Sequence, residues 1–90
     1  MEVRFAKSLA GHDKDEIYFV LKEENDLFYL VNGKNRTLDK AKRKKKKHTQ
    51  LIKRLPDEVT ELFQRETLKD ELIKRAIKTY LRRLECQKQM

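Results

Sequence analysis

Pro56 separates two hydrophobic periods, and that change limits the fold more than any other feature of the chain. Ahead of it the apolar residues fall in blocks of strand length. Val3 to Leu9 alternates loosely, with Val3 and Phe5 on one side and Arg4 and Ala6 on the other, as a half-buried strand does. Ala10-Gly11-His12-Asp13-Lys14-Asp15 then supplies turn chemistry. Ile17-Tyr18-Phe19-Val20-Leu21 and Leu27-Phe28-Tyr29-Leu30-Val31 are β-branched and aromatic runs joined by the polar loop Glu23-Glu24-Asn25-Asp26. Asn32-Gly33 predicts a tight hairpin turn, because both residues tolerate positive φ. Arg36-Thr37-Leu38 and Thr49-Gln50-Leu51-Ile52 are candidates for a fourth and a fifth short strand.

Five short strands ahead of Pro56 are too little material for two packed sheets of ordinary size. A strongly bent sheet closing into a small barrel leaves the fewest exposed edges. Beyond Pro56 the spacing becomes helical. Asp57 and Glu58 suit the positive end of a helix dipole, and Val59, Leu62 and Phe63 follow at i, i+3 and i+4. Thr67 with Asp70 and Glu71 reads as the N-cap of a longer helix, whose Leu68, Leu72, Ile73, Ala76, Ile77, Tyr80, Leu81 and Leu84 form a burial face. Nothing between Phe63 and Thr67 is a strong breaker, so one continuous or kinked helix stays open. The expectation is an α+β chain: a small β-barrel over residues 1–54 and one or two α-helices over residues 55–90.

Charge is as unevenly spread as hydrophobicity. Between residues 34 and 54 stand eleven Lys or Arg and a single acid, Asp39, whereas the whole chain nets only +8. The excess therefore sits in one segment, centred on Lys42-Arg43-Lys44-Lys45-Lys46-Lys47-His48. A field so concentrated points to a polyanionic partner and says little about fold. Lysines there act as point charges that displace counterions from phosphates without reading sequence. If about five to eight phosphates are neutralised, the log-log salt slope is roughly −4 to −7. The run is expected to be a disordered loop over residues 40–48, pinned at both ends, so that replacing Lys44 to Lys47 by Gln leaves thermal stability nearly unchanged.

The order of strand, Ser8-Leu9-Ala10-Gly11-His12-Asp13-Lys14 turn, Tyr18-Phe19-Val20 strand, Val31-Asn32-Gly33-Lys34 turn, Arg36, and a lysine cluster ending in Lys44-Lys45-Lys46-Lys47-His48 resembles the KOW family. It looks like the small bacterial KOW-domain RNA-binding proteins related to large-subunit ribosomal KOW proteins of archaea and eukaryotes. The resemblance covers residues 2 to 54 and implies an SH3-like barrel that binds structured RNA, usually ribosomal. Gly11 matches the family's turn glycine. Position 15, often a second glycine, is Asp15, which tolerates positive φ better than most residues and so keeps the turn.

On this reading the RNA-binding residues are Lys14, Lys34, Arg36, Lys40, Lys42, Arg43, Lys44, Lys45, Lys46, Lys47, His48, Lys53 and Arg54. Arg36, with its planar fork, and Lys14 are placed to give orientation, and Lys74, Lys78 and Arg82 to extend the footprint. Tyr18, Phe28 and Tyr29 are candidates for stacking on bases, but core packing is the stronger reading in a chain with so few aromatics. Ribosomal proteins are a second expected partner, through the C-terminal helices.

Enzymatic chemistry finds no support, since no nucleophile has a base in reach and no glycine-rich loop could cradle a phosphate. His12 and His48 have no metal-ligand partner at a useful spacing, and neither a cofactor nor a small-molecule substrate is implied. One cysteine, Cys86, fits a reducing cytoplasm, while Glu2, Arg4 and Lys7 interrupt the N-terminus and no apolar run approaches a membrane span, which argues against a signal peptide or a membrane partner. The alternative function is a protein-interaction adaptor on the amphipathic helix, with the basic run as a general DNA- or RNA-binding tether.

Overall fold

A computed structural model of the chain describes residues 2–88. It is α+β, with a five-stranded antiparallel sheet followed by two helices. The strands are β1 (Phe5–Ser8), β2 (Ile17–Glu24), β3 (Leu27–Val31), β4 (Lys42–Lys45) and β5 (Thr49–Leu51), and the helices are α1 (Asp57–Arg65) and α2 (Asp70–Lys88).

The fourth strand is not the expected one. Arg36-Thr37-Leu38 belongs to a loop over residues 32–41, and the strand is formed by the lysine run itself, paired with β3 from Leu27↔Lys45 to Leu30↔Lys42. Asn32-Gly33 accordingly opens a wide loop instead of a two-residue turn. The Asn32 side-chain oxygen accepts from the Lys34 and Arg36 amides, and the Arg36 carbonyl accepts from the Asn32 and Gly33 amides. The tight hairpin lies at Asn25-Asp26, where Asn25 takes a φ of +51°. Asp15 keeps its turn in the expected way, at a φ of +74°.

Strand order is β4-β3-β2-β1-β5, which puts β4 and β5 at opposite edges, yet only the three residues of a 3-10 helix, Lys46–His48, join them. Five strands laid flat would separate those edges by about 19 Å, at ~4.8 Å per strand. The chain from Lys45 to Thr49 reaches about 14 Å even when fully extended. The sheet is therefore curled until its edges approach one another. No ladder joins β4 to β5 among the described residues, so the curl is not closed by backbone pairing.

Curling gives the sheet two buried faces. Inside lie Ala6, Tyr18, Val20, Phe28 and Leu30, one cluster contributed by β1, β2 and β3. Outside, Phe5, Phe19 and Val31 alternate with them and pack under the helices against Val59, Phe63, Leu72, Ile73, Ala76, Ile77 and Tyr80. Phe19 stacks on Phe63 at 5.1 Å, and Phe5 meets Tyr80 edge-on at 5.7 Å. A break at Glu66, where the backbone is extended, separates the two helices. Thr67 is not the cap of α2, which starts at Asp70. The Asp70 carboxylate instead accepts the Leu38 amide at 2.8 Å and ties the 32–41 loop to the helix.

That loop meets α2 at Gly33. A Cβ at this position would collide with the Asp70 carbonyl oxygen and fall 2.9 Å from the Lys74 Cβ, at a φ of +79°. Gly33→Ala should therefore destabilise the fold by about 3 kcal/mol, the sum of left-handed strain and overpacking, lowering Tm by roughly 10 °C or more. Gly11→Ala, whose nearest contacts are 3.5 and 3.6 Å, should cost about 1 kcal/mol. Thermal melts of the two variants side by side check this contrast.

Candidate nucleic-acid interface

β4 divides the lysine run by parity, because successive side chains in a strand point to opposite faces. Lys42 and Lys44, opposite Leu30 and Phe28, face the interior of the curl. Arg43 and Lys45, opposite Tyr29 and Leu27, face outward and are exposed.

The inward pair ends on Asp13, a buried carboxylate in the β1–β2 loop. Lys42 Nζ donates to its Oδ2 at 2.8 Å and Lys44 Nζ to its Oδ1 at 3.1 Å. Tyr18 Oη donates to the same carboxylate at 2.8 Å and Ser8 Oγ at 2.9 Å. Lys44 also donates to the Ala10 carbonyl at 2.8 Å, which holds the loop down over β4. Burial alone would raise the Asp13 pKa, but the hydrogen bonds from Lys42, Tyr18, Ser8 and Lys44 outweigh it and hold the carboxyl far below the usual range. The Tyr18 phenol is pushed up, by burial first and then by the Asp13 hydrogen bond, so it stays a donor.

A second acid takes the next lysine. Glu23, on the inner side of β2 opposite Phe28, pairs with Lys46 and, at 2.9 Å, with Arg4. Both cations lie over the Phe28 ring, at 5.4 and 5.8 Å from its centroid. Hydrogen bonds from Lys46 and Arg4 lower the Glu23 pKa.

The expected disordered loop is thus corrected: residues 42–48 are a strand and a 3-10 helix, and Lys42, Lys44 and Lys46 are half-buried in acid pairs. What remains for a partner is a subset of the expected site. Lys14, Lys34, Lys40, Arg43, Lys45, Lys47, His48, Lys53 and Arg54 are exposed and Arg36 is half-buried. None of these has an acidic partner among the described residues.

They do not form one patch. The Leu9 amide donates to the His48 carbonyl at 2.9 Å, which sets the loop carrying Lys14 beside Lys47 and His48. Lys34, on the 32–41 loop, shares a groove with Lys74 and Lys78 of α2 that is lined also by Ile17, Ile77 and Leu81 and by the acids Asp15 and Glu16. Lys53 and Arg54 lie between β5 and α1. Tyr18 and Phe28 are 2% and 4% exposed and belong to the core as expected, but Tyr29 is only half-buried and joins neither cluster. Sequence reading missed the structural role of Asp13 and Glu23, because each stands among other acids, Asp15 and Glu16 in one segment and Glu24 and Asp26 in the other, with nothing to single it out.

No group of His, Cys, Asp and Glu able to hold a metal, and no helix long and apolar enough to cross a membrane, occurs among the described residues. The chain matches no protein-family model, and no curated protein matches it significantly.

The Asp13 network fixes a pH dependence. A carboxyl whose folded pKa is depressed adds stability that is complete above its unfolded value, near pH ~4, and is lost as pH falls toward the folded value. Asp13→Asn should cost about 2–3 kcal/mol at neutral pH, less than a fully dry pair because Lys42 keeps some solvent. The gap in stability between wild type and variant should narrow steadily below pH ~4, as denaturant melts across that range would report.

Proposed function

We propose that this chain is a non-catalytic RNA-binding protein of the KOW type, acting in the cytoplasm on structured, ribosomal RNA. Its curled sheet is read here as an SH3-like barrel. In favour of that reading, the short 3-10 helix between β4 and β5 brings the two sheet edges together, and the KOW-like residues Gly11, Asp13, Asn32 and Gly33 each occupy a structurally demanding position.

The observation that carries the proposal is the parity of the basic strand. Lysines on edge strands commonly serve to block sheet-to-sheet aggregation, and a few would suffice for that. Here β4 and its 3-10 extension hold three cations in internal pairs and project Arg43, Lys45 and Lys47 to solvent without acidic partners among the described residues. Such a fixed, unrelieved row of positive charge suits a phosphate backbone. Being ordered beforehand, it loses less conformational entropy on binding than a flexible tail. The loop carrying Lys14 flanks the row, and the groove of Lys34, Lys74 and Lys78 offers a second contact to a folded RNA. The apolar face of α2 is spent on the sheet, where Leu72 and Ile77 are buried, which leaves an adaptor little more than Leu81.

Binding to a ribosomal RNA fragment and to duplex DNA of equal phosphate number, across a salt series, tests the proposal. The RNA should bind more tightly at every salt, with a log-log slope of roughly −4 to −7. Replacing Arg43, Lys45 and Lys47 together by Gln should flatten that slope by about 2 to 3 while leaving Tm within ~2 °C. Equal affinity for RNA and DNA at every salt would leave only a general polyanion binder.

A further inference from the structure

We propose that the uncovered part of the outer sheet face around Tyr29 holds an unpaired nucleobase of a single-stranded RNA segment. This rests on the RNA-binding reading and adds a site to it. Tyr29 shares its face with Val31, two residues on, yet Val31 lies under the helices and Tyr29 does not. Leu27, two residues earlier on the same face, is likewise absent from the helix-covered cluster. The helices stop short, and a strip of apolar surface is left beyond them.

Pairing across three strands frames that strip with cations. Tyr29 stands between Lys22 of β2 and Arg43 of β4, and Leu27 stands between Glu24 and Lys45. A β-bulge between Val20 and Lys22 puts Lys22 on this face. Lys22 Nζ lies 4.6 Å from the Tyr29 ring centroid, so a face of the ring is open to a charged side chain that is itself 56% exposed. The acid here is already engaged: Glu24 pairs with Lys22 at 3.6 Å and accepts from Tyr29 Oη at 3.4 Å. Arg43 and Lys45 have no acidic partner among the described residues.

An aromatic ring between cations, on a rigid sheet, matches the chemistry of a nucleotide, whose base offers a flat π-face and whose two flanking phosphates offer charge. Lys22 sits on the ring as a placeholder. A base displacing it would stack on Tyr29 and free the ammonium for a phosphate, with Arg43 and Lys45 taking the neighbouring one. Bases inside a duplex are stacked on one another and cannot reach the ring, so the site selects unpaired nucleotides. An acidic protein segment would satisfy the cations but gain nothing from the ring.

The chain contains no tryptophan, so Tyr29→Trp installs a single indole fluorophore at the site. Its emission should be quenched on saturation with a short oligoadenylate, and little changed by an RNA duplex of equal phosphate number or by polyglutamate. Tyr29→Ala should weaken oligoadenylate binding about tenfold, within the range for loss of one stacked base, leave the salt slope and duplex affinity unchanged, and keep Tm close to wild type. Tyr29→Phe should bind as wild type does. An indole emission that stays unchanged at saturating oligoadenylate, equal quenching by polyglutamate, or an equal loss of duplex and single-strand affinity in Tyr29→Ala would each overturn the site while leaving the RNA-binding proposal standing. Failure of the wild type to bind any RNA would overturn both.

Discussion

The carboxylate of Asp13 is the point on which the curled sheet turns. It receives hydrogen bonds from Ser8 at the end of β1, Tyr18 of β2, and Lys42 and Lys44 of β4. β1 and β4 are not neighbours in the sheet; β2 and β3 lie between them. Side chains thus bridge the gap that backbone pairing leaves open, and they do so inside the curl, where an unpartnered charge is costly. Each ion there depends on the others. A lone buried aspartate would be a penalty, and so would two lysines aimed at the interior. Together they pair over the cluster of Ala6, Tyr18, Val20, Phe28 and Leu30, one carboxylate shared by two ammonium groups. Nearby, at an exposed position, Glu23 pairs with Arg4 and Lys46, which lie over the ring of Phe28.

Anchoring every second lysine has a consequence for binding. Strand geometry turns a featureless basic run into two ranks, one facing in to hold the fold and one facing out to meet a partner. The outward rank makes no acid pair among the described residues: Asp13 and Glu23 are engaged by the inward lysines, and Glu24 by Lys22. Electrostatic attraction at long range and a fixed spacing at short range come from the same four-residue strand. Asp70 and Gly33 fix the second basic region in a related way, locking the 32–41 loop against α2 so that Lys34 faces Lys74 and Lys78.

How legible this was depends on what each residue type can signal. Leu27 to Val31, and the helix start at Pro56-Asp57, stand as the apolar blocks and the proline indicate. The apolar face of α2 is likewise readable from spacing, with Leu72, Ile73, Ala76 and Ile77 all buried. β4 was hidden for a simple reason: alternation is invisible when inward and outward residues are all cations, so a strand looks like a solvated run. The false strand at Arg36-Thr37-Leu38 came from a β-branched residue in a loop whose shape is set by Asn32 and by Asp70, 32 residues away from Leu38. Tyr29 looked like its neighbour Phe28, and only the extent of the helices on the sheet tells them apart.

The most direct measurement is amide hydrogen exchange of residues 42–45 in the free protein and in Asp13→Asn. In the wild type, the β4 amides bonded to β3 should be protected well beyond the unfolded-chain rate. The variant should lose that protection in β4 before it loses it in β1 and β2. Exchange of β4 at the unfolded rate in the wild type would mean that the basic run is a disordered loop, and would contradict the division of its lysines into a holding and a binding rank.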